Sequence, residues 1–207
     1  MLAAGAAARL GHRPKCLLEL DGEALIRRLL HAILHSGVGD IVVVLGRHAA
    51  RIAPVIANLP VTLAYNPSAE TGPDTGQNAS LHIGLRALPP TLGAVLVALA
   101  DQPLLDASDI GALLQAYRER PPHTDMLVPT RDDLPGNPVL FSAGVRAAIL
   151  AREPSWGGRQ WRQTHPDCVY RWQAPNAHYH IDIDTAADID AFVADTGRQL
   201  LWPASPK

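Results

Sequence analysis

The sequence predicts an α/β fold, a mostly parallel sheet flanked by helices with a small antiparallel excursion in the second half. Three observations carry that expectation. Short apolar runs alternate with segments of helical period. The runs are apolar at successive positions rather than alternate ones, which suits strands buried on both faces. A polar, turn-rich stretch then breaks the alternation after Pro129.

Residues 41–45, 61–65 and 93–100 are the clearest strands, the last built on Ala-Val-Leu-Val-Ala-Leu. Between them, residues 22–36 place Leu25, Leu29, Ile33 and Leu34 on one helical stripe that Ser36-Gly37 terminates. Asp106 caps a second helix running to Tyr117, with Ile110, Leu113, Leu114 and Tyr117 on one face and Pro121-Pro122 closing it. Residues 131–137, with Asp132-Asp133 and Pro135-Gly136, form a turn-rich segment suited to covering an active site, followed by a strand over 138–141. Residues 168–172 and 179–183 read as strands, and 185–193 as a helix opened by a Thr-x-x-Asp cap. One domain over 1–195 is expected, with 196–207 a tail whose two prolines leave residues 200–207 to fray.

Composition narrows the function. The chain has 207 residues, 47% of them hydrophobic, which is enough for a core; 18% are charged and the net charge is -2. That balance argues against nucleic-acid or membrane-surface binding. Two cysteines, Cys16 and Cys168, make neither a disulfide framework nor a zinc pattern, and no run approaches a membrane span or a secretory leader, so a cytoplasmic location is expected. Of 18 basic residues only Lys15 and Lys207 are lysines.

The lone internal lysine closes the most informative segment, from Leu2 to Lys15. A short apolar strand, Leu2-Ala3, runs into Ala4-Gly5 and a loop of small side chains that lets backbone N–H groups approach an anion, and the loop carries Arg9 and Lys15. The spacing Gly-x5-Gly-x3-Lys followed by Cys16 is not that of a Walker loop. The plainer reading is an Ala-rich helix start with two solvated cations.

This segment, Leu2-Ala3-Ala4-Gly5-x3-Arg9-Leu10-Gly11-x2-Pro14-Lys15, resembles the signature of nucleotidyltransferases of the molybdenum-cofactor type, the MobA-like NTP transferases. Four further blocks follow in that family's order: Asn66-Pro67 with Gly76-x3-Ser80-Leu81-x2-Gly84-Leu85, then Leu99-Ala100-Asp101-Gln102-Pro103, then residues 135–141, and finally Asp182-Ile183-Asp184-Thr185. The similarity covers residues 1 to about 195 and is greatest to the molybdenum cofactor cytidylyltransferase branch.

The resemblance implies a single Rossmann-like nucleotidyltransferase domain and Mg²⁺-dependent transfer of CMP from CTP to molybdenum-molybdopterin, giving the cytosine dinucleotide and pyrophosphate. It assigns catalytic roles to Lys15, Arg9 and Asp101, and nucleotide binding to Leu2, Ala3, Ala4, Gly5 and Ser80. Metal binding falls to Asp101 with Asp182, while Asp184 either joins the metal or caps the following helix. Asn137 and Arg159 are expected to bind the acceptor. Ala4, where guanylyl-transferring relatives often show glycine, leans toward CTP, and a recipient molybdoenzyme is a possible partner. Ser80 is equally readable as a helix N-terminal serine. The alternation of His178, His180 and Asp182 lacks the fourth ligand that zinc needs. Two alternatives remain: transfer to another phosphorylated acceptor such as a sugar phosphate, and a non-catalytic protein that escorts the pterin to a molybdoenzyme.

Three departures stand out. Met1 directly precedes Leu2, where members carry several apolar residues, so the first strand is abbreviated or begins upstream. Residues 68–75 are longer than usual, and Asn137 stands where histidine is usual.

Overall fold

The computed structural model describes residues 1–5, 7–68 and 76–204. Most of the long segment at 68–75 lies outside them. Three parallel strands, β1 (Leu2–Ala3), β4 (Val42–Leu45) and β5 (Thr62–Tyr65), run in the order β1-β4-β5. A second set, β6 (Ala94–Val97), β7 (Met126–Arg131), β9 (Val139–Ser142) and β10 (Val169–Gln173), runs β10-β7-β9-β6, and β8 (Leu134–Pro135) folds back on β7. Leu2 joins the two sets: its N–H donates to Ala98 O at 2.9 Å, and Ala100 N–H donates to Leu2 O at 3.1 Å. The resulting order is β5-β4-β1-β6-β9-β7-β10. Apart from the return strand β8, its members are parallel except β9, which runs against both β6 and β7. That is the antiparallel excursion expected from residues 131–141.

Helices cover both faces. Ile33 and Leu29 of α1 (Leu25–His35), Ile52 of α2 (Ala49–Ile56) and Leu113 of α4 (Ala107–Arg118) pack with Val43, Leu45 and Tyr179 on one side. Leu81 and Leu85 of α3 (Gly76–Ala87), Ile149 of α5 (Ala143–Leu150) and Trp161 of α6 (Gly158–Thr164) pack with Val95, Val128 and Phe141 on the other. Each fully buried aliphatic side chain contributes about 1.5–3 kcal/mol relative to exposure. β4 is buried throughout, as its apolar run predicts, whereas β5 is an edge strand with Thr62 and Tyr65 exposed. Asp106 and Asp109 form a reciprocal cap on α4, and Thr185 and Asp188 do so on α7 (Ala186–Thr196). Arg146, on α5, is buried and donates to the carbonyls of Leu85, Leu88 and Pro89, satisfying the end of α3.

Two expectations are corrected. Residues 179–183 are not a strand, for His178–His180 form a 3₁₀ turn. The cause is Asp109: its carboxylate takes Asn176 Nδ2 and His178 Nδ1 at 2.7 Å each, and its carbonyl accepts the Tyr179 hydroxyl at 2.8 Å, which winds the segment onto α4. Nor does the chain fray at residue 200. β11 (Leu200–Leu201) pairs antiparallel with β2 (Glu19–Leu20), which pairs with β3 (Glu23–Ala24). Leu200 is buried with Leu18, Leu20, Ile183 and Phe192, so burial outweighs the disruptive effect of the flanking proline.

The Met1 amine donates to Val42 O at 2.7 Å and Met1 O accepts from Val44 N–H at 3.0 Å, the two positions of a parallel ladder. Burial lowers the amine's pKa from 8.0 to about 5. Beside it lies an apolar cavity of about 180 Å³, walled by Val42, Val95, Val97, Ile33, Leu85 and Leu88.

Candidate active site

Ligands of open α/β sheets gather at the carboxyl ends of the strands. Here that edge holds a cavity of about 270 Å³, formed by β1 and the two residues after it, Leu2 to Gly5, by Leu99 to Asp101 after β6, Asn66 after β5, and Gly76, Gln77 and Ser80 from the first two turns of α3. Pro14, Lys15, Cys16, Asp182 and Asp184 complete its wall.

Lys15 stands on a short 3₁₀ turn, Lys15–Leu17, whose Leu17 N–H is held by Pro14 O at 2.9 Å. Its ammonium pairs with Asp101 Oδ2 and Asp184 Oδ1 at once. Burial disfavours its charge, but Asp101 and then Asp184 outweigh burial and raise its pKa, so the ammonium stays charged. Asp101 is buried, and its Oδ1 has no hydrogen-bond partner among the described residues. Asp182 is raised above the usual carboxylate range by loss of solvent, then by repulsion from Asp101 and Asp184. Three carboxylates around one ammonium leave a local excess of negative charge. Carboxylate oxygens, one of them buried and unpartnered, suit a hard divalent cation. Cys16 takes no part as a nucleophile: burial, and then Asp101, push its thiol up to about 12.

Asn66 Nδ2 donates to Ser80 Oγ at 3.0 Å in the buried wall, tying the end of β5 to α3. On the other side of Asp101, Gln102 Nε2 donates to Asn137 O at 3.0 Å and Tyr179 O at 3.2 Å, and Asn137 N–H donates to Tyr179 O at 2.8 Å. Gly136 fits there because a Cβ would stand 2.4 Å from Tyr179 O. The turn before β9, which contains the cis Asn137-Pro138 peptide, is thereby stitched to the residue after Asp101.

A family model for the MobA-like NTP transferase domain matches residues 1–169. The chain belongs to this family. It is 33% identical over 157 residues to nicotine blue oxidoreductase of Paenarthrobacter nicotinovorans, covering 73% of each chain. Its fold is similar to that of a nucleotidyl transferase from Methanothermobacter, with a TM-score of 0.74, 22% identity and 94% and 96% of the two chains covered. It is similar as well to an inositol-1-phosphate CTP transferase from T. maritima, with a TM-score of 0.67, 16% identity and coverage of 94% and 91%. The expected Rossmann-like nucleotidyltransferase fold is therefore the observed one, and at the level of the family this MobA-like chain is an NTP-dependent transferase.

The structure brings most of the residues singled out in the sequence of this MobA-like domain to one place. Leu2, Ala3, Ala4, Gly5, Lys15, Ser80, Asp101, Asp182 and Asp184 all line the cavity. Asp184 does not cap α7 with its side chain; Thr185 does, and the Asp184 carboxylate turns to Lys15. Arg9, exposed on the 3₁₀ turn Ala8–Leu10, and Arg159, exposed on α6, are not among the lining residues, and neither is the half-buried Asn137. His178 is committed to Asp109 and His180 Nε2 to Leu134 O, so the two imidazoles serve different neighbours. Sequence reasoning did not anticipate Gln77, Ile52 or the structural part of Gln102. Gln102 could have been found from its place in Asp-Gln-Pro; Ile52 and Gln77 carry no local signal. Among the described residues no helix is long and apolar enough to cross a membrane.

Proposed function

We propose that this chain transfers a nucleoside monophosphate from an NTP to a phosphorylated small molecule and releases pyrophosphate. The observation that carries the reading is the joint presence, at one sheet edge, of a Gly/Ala backbone turn, a charged Lys15 and a buried Asp101 with one unsatisfied oxygen. An oxygen of the acceptor phosphate attacks the α-phosphorus in line, the bond to the β-phosphate oxygen breaks, and pyrophosphate leaves. Both reactants are anionic, so the site's task is to cancel repulsion and hold geometry.

Backbone N–H groups of the turn after β1 take phosphate oxygens at close range because Ala4 and Gly5 present almost no side chain. Asp101 and Asp182, with Asp184 beside them, are the residues that would hold Mg²⁺. When bound, the ion supplies positive charge to the phosphate oxygens. Lys15 then exchanges its carboxylates for phosphate: its ammonium is compact, its stem is flexible, and it follows charge moving onto the departing pyrophosphate better than an arginine fork would. Arg9, exposed on the same loop as Lys15, is the second cation assigned to the triphosphate. The Gln102–Asn137 junction and Arg159 form the acceptor side.

The five sequence blocks favour CTP and molybdenum-molybdopterin as the first pair to test, and transfer to a sugar phosphate or a related phosphorylated molecule uses the same groups. The named oxidoreductase relative favours a second reading, in which the chain reduces or oxidises a small molecule. One assay separates them: pyrophosphate release from CTP, GTP and ATP with and without candidate acceptors, beside oxidation of a reduced nicotinamide cofactor. Acceptor-dependent pyrophosphate is the expected result. Cofactor oxidation without pyrophosphate would establish the second reading, and binding of the pterin with neither activity would leave an escort protein.

A further inference from the structure

Gln77 and Ser80 face the cavity from the first two turns of α3. The same helix presents a second pair, Asn78 and His82, spaced i and i+4 and therefore on one face, centred about 150° around the axis from the first. That second face is fastened to the turn before α6. Asn78 Nδ2 donates to Ser155 O at 2.6 Å and approaches Gln160 Oε1 at 3.4 Å. His82, 1% exposed, bonds Trp156 O through Nε2 at 2.7 Å. A carbonyl only accepts, so Nε2 carries the proton, and the buried Nδ1 has no partner among the described residues. Gly157 completes the fit: a Cβ there would lie 2.2 Å from Asn78 Oδ1. Its N–H is taken by Gln160 Oε1 at 3.0 Å, so the turn is held from α6 as well.

We propose that Asn78 and His82 are positioning residues for nucleotide binding: by fastening the first turns of α3 to residues 155–157, they fix Gln77 and Ser80 at the cavity wall. The inference rests on reading that cavity as the NTP site. Neither residue lines the cavity, so both act through the helix. Asn66 restrains the same turn from the opposite side through Ser80, and the two restraints together leave the helix start one position. Gly157 suits this arrangement, since a Cβ there displaces either the Asn78 amide or the turn and breaks the junction in both cases.

The test compares Asn78→Ala, His82→Leu and Gly157→Ala with the wild-type chain, reading CTP affinity by calorimetry, melting temperature, and KM for CTP against kcat. The loss of one neutral hydrogen bond corresponds to about a three- to tenfold change. CTP Kd and KM are expected to rise by about that factor in Asn78→Ala and Gly157→Ala, with kcat within about twofold. Asn78→Ala combined with Gly157→Ala is expected to bind no worse than the poorer single variant, because each breaks the same junction. Lower melting temperatures with CTP affinity unmoved would reduce the junction to a structural one and overturn the proposal. His82→Leu tests the buried bond, and Gly157→Ala keeps the test open if that variant does not fold, because it leaves α3 unchanged. A wild-type chain that binds no CTP, GTP or ATP overturns the reading of the cavity, and this inference with it.

Discussion

The two halves of the sheet's carboxyl edge are built from different materials. Around β1 and β6 the edge is ionic, with Lys15 between Asp101 and Asp184 and with Asp182 adjoining. Around β9 and β7 it is neutral, held by Gln102, Asn137 and Tyr179 through backbone carbonyls and by a glycine with no room for a methyl group. Charge acts over distance and tolerates small displacements, whereas a backbone junction fixes shape and tolerates few. The ionic half is accordingly suited to gripping a polyphosphate common to many reactions, and the neutral half to shaping one acceptor.

Changes on the ionic side should break the chemistry. Asp101→Asn is expected to lower pyrophosphate release by about a thousandfold, and Lys15→Ala by about a hundredfold or more, in both cases with folding retained by circular dichroism. Lys15→Arg sharpens the point. A rigid fork in place of a mobile ammonium should recover only part of the loss, and full activity in that variant would show that the scarcity of lysine elsewhere in the chain carries no mechanistic meaning.

Away from this edge, at the amino end of β1, the Met1 amine is buried against Val42 O. With the Met1 amine lowered to about 5 by burial, the unfolded chain binds a proton between pH 5 and 8 that the folded chain does not. Stability should therefore rise from pH 5 to 8 and be lost as pH falls, by up to about 4 kcal/mol. Urea unfolding across that range measures it. Acetylating the amine, or carrying residues ahead of Met1, should flatten this part of the profile; an unchanged slope would disprove the assignment.

On the neutral side Gly136→Ala forces the 178–180 segment to move and is expected to cost about 1–3 kcal/mol in stability. Its acceptor KM should rise while CTP affinity stays near wild type. The smallest effect is expected at Trp202, whose ring lies 3.9 Å from the Arg13 guanidinium and steadies the approach to Lys15. Trp202→Ala should weaken CTP binding about two- to fivefold, and a fall in acceptor affinity alone would place that contact on the wrong side of the site.

The contrast also explains which parts were legible in the sequence. β4 announces itself because burial on both faces demands continuous apolar residues, β6 because its apolar run lies inside the sheet between β1 and β9, and α4 and α7 because their caps are written in Asp106 and Thr185. α2 is concealed by Pro54 inside it, and β2, β3 and β11, two residues each, are too short to show a period. β2 and β3 pair locally across Asp21-Gly22, whereas β11 depends on partners distant in the chain, as Leu200 depends on Leu18 and Leu20. The ionic site was legible because a few charged residues in fixed motifs have few uses. The junctions at Gly136 and Gly157 were not, since they join amide and imidazole side chains to backbone carbonyls that meet only after folding.

The reversed direction of β9 has one more consequence. The parallel strands deliver their ends to the ligand edge, and their side chains there are constrained by the strand that has just been laid down. β9 instead starts at that edge, after the Gly136-Asn137-Pro138 turn, and its own course is set farther along by pairing with β6 and β7. On the proposed reading, Asn137 of that turn can be replaced without disturbing the hold on the nucleotide, whereas Gly136 is held by the close approach of Tyr179 O. A fold with one strand entered from the working side keeps its grip and its taste in separate drafts, so descent can revise the second while the first stays intact.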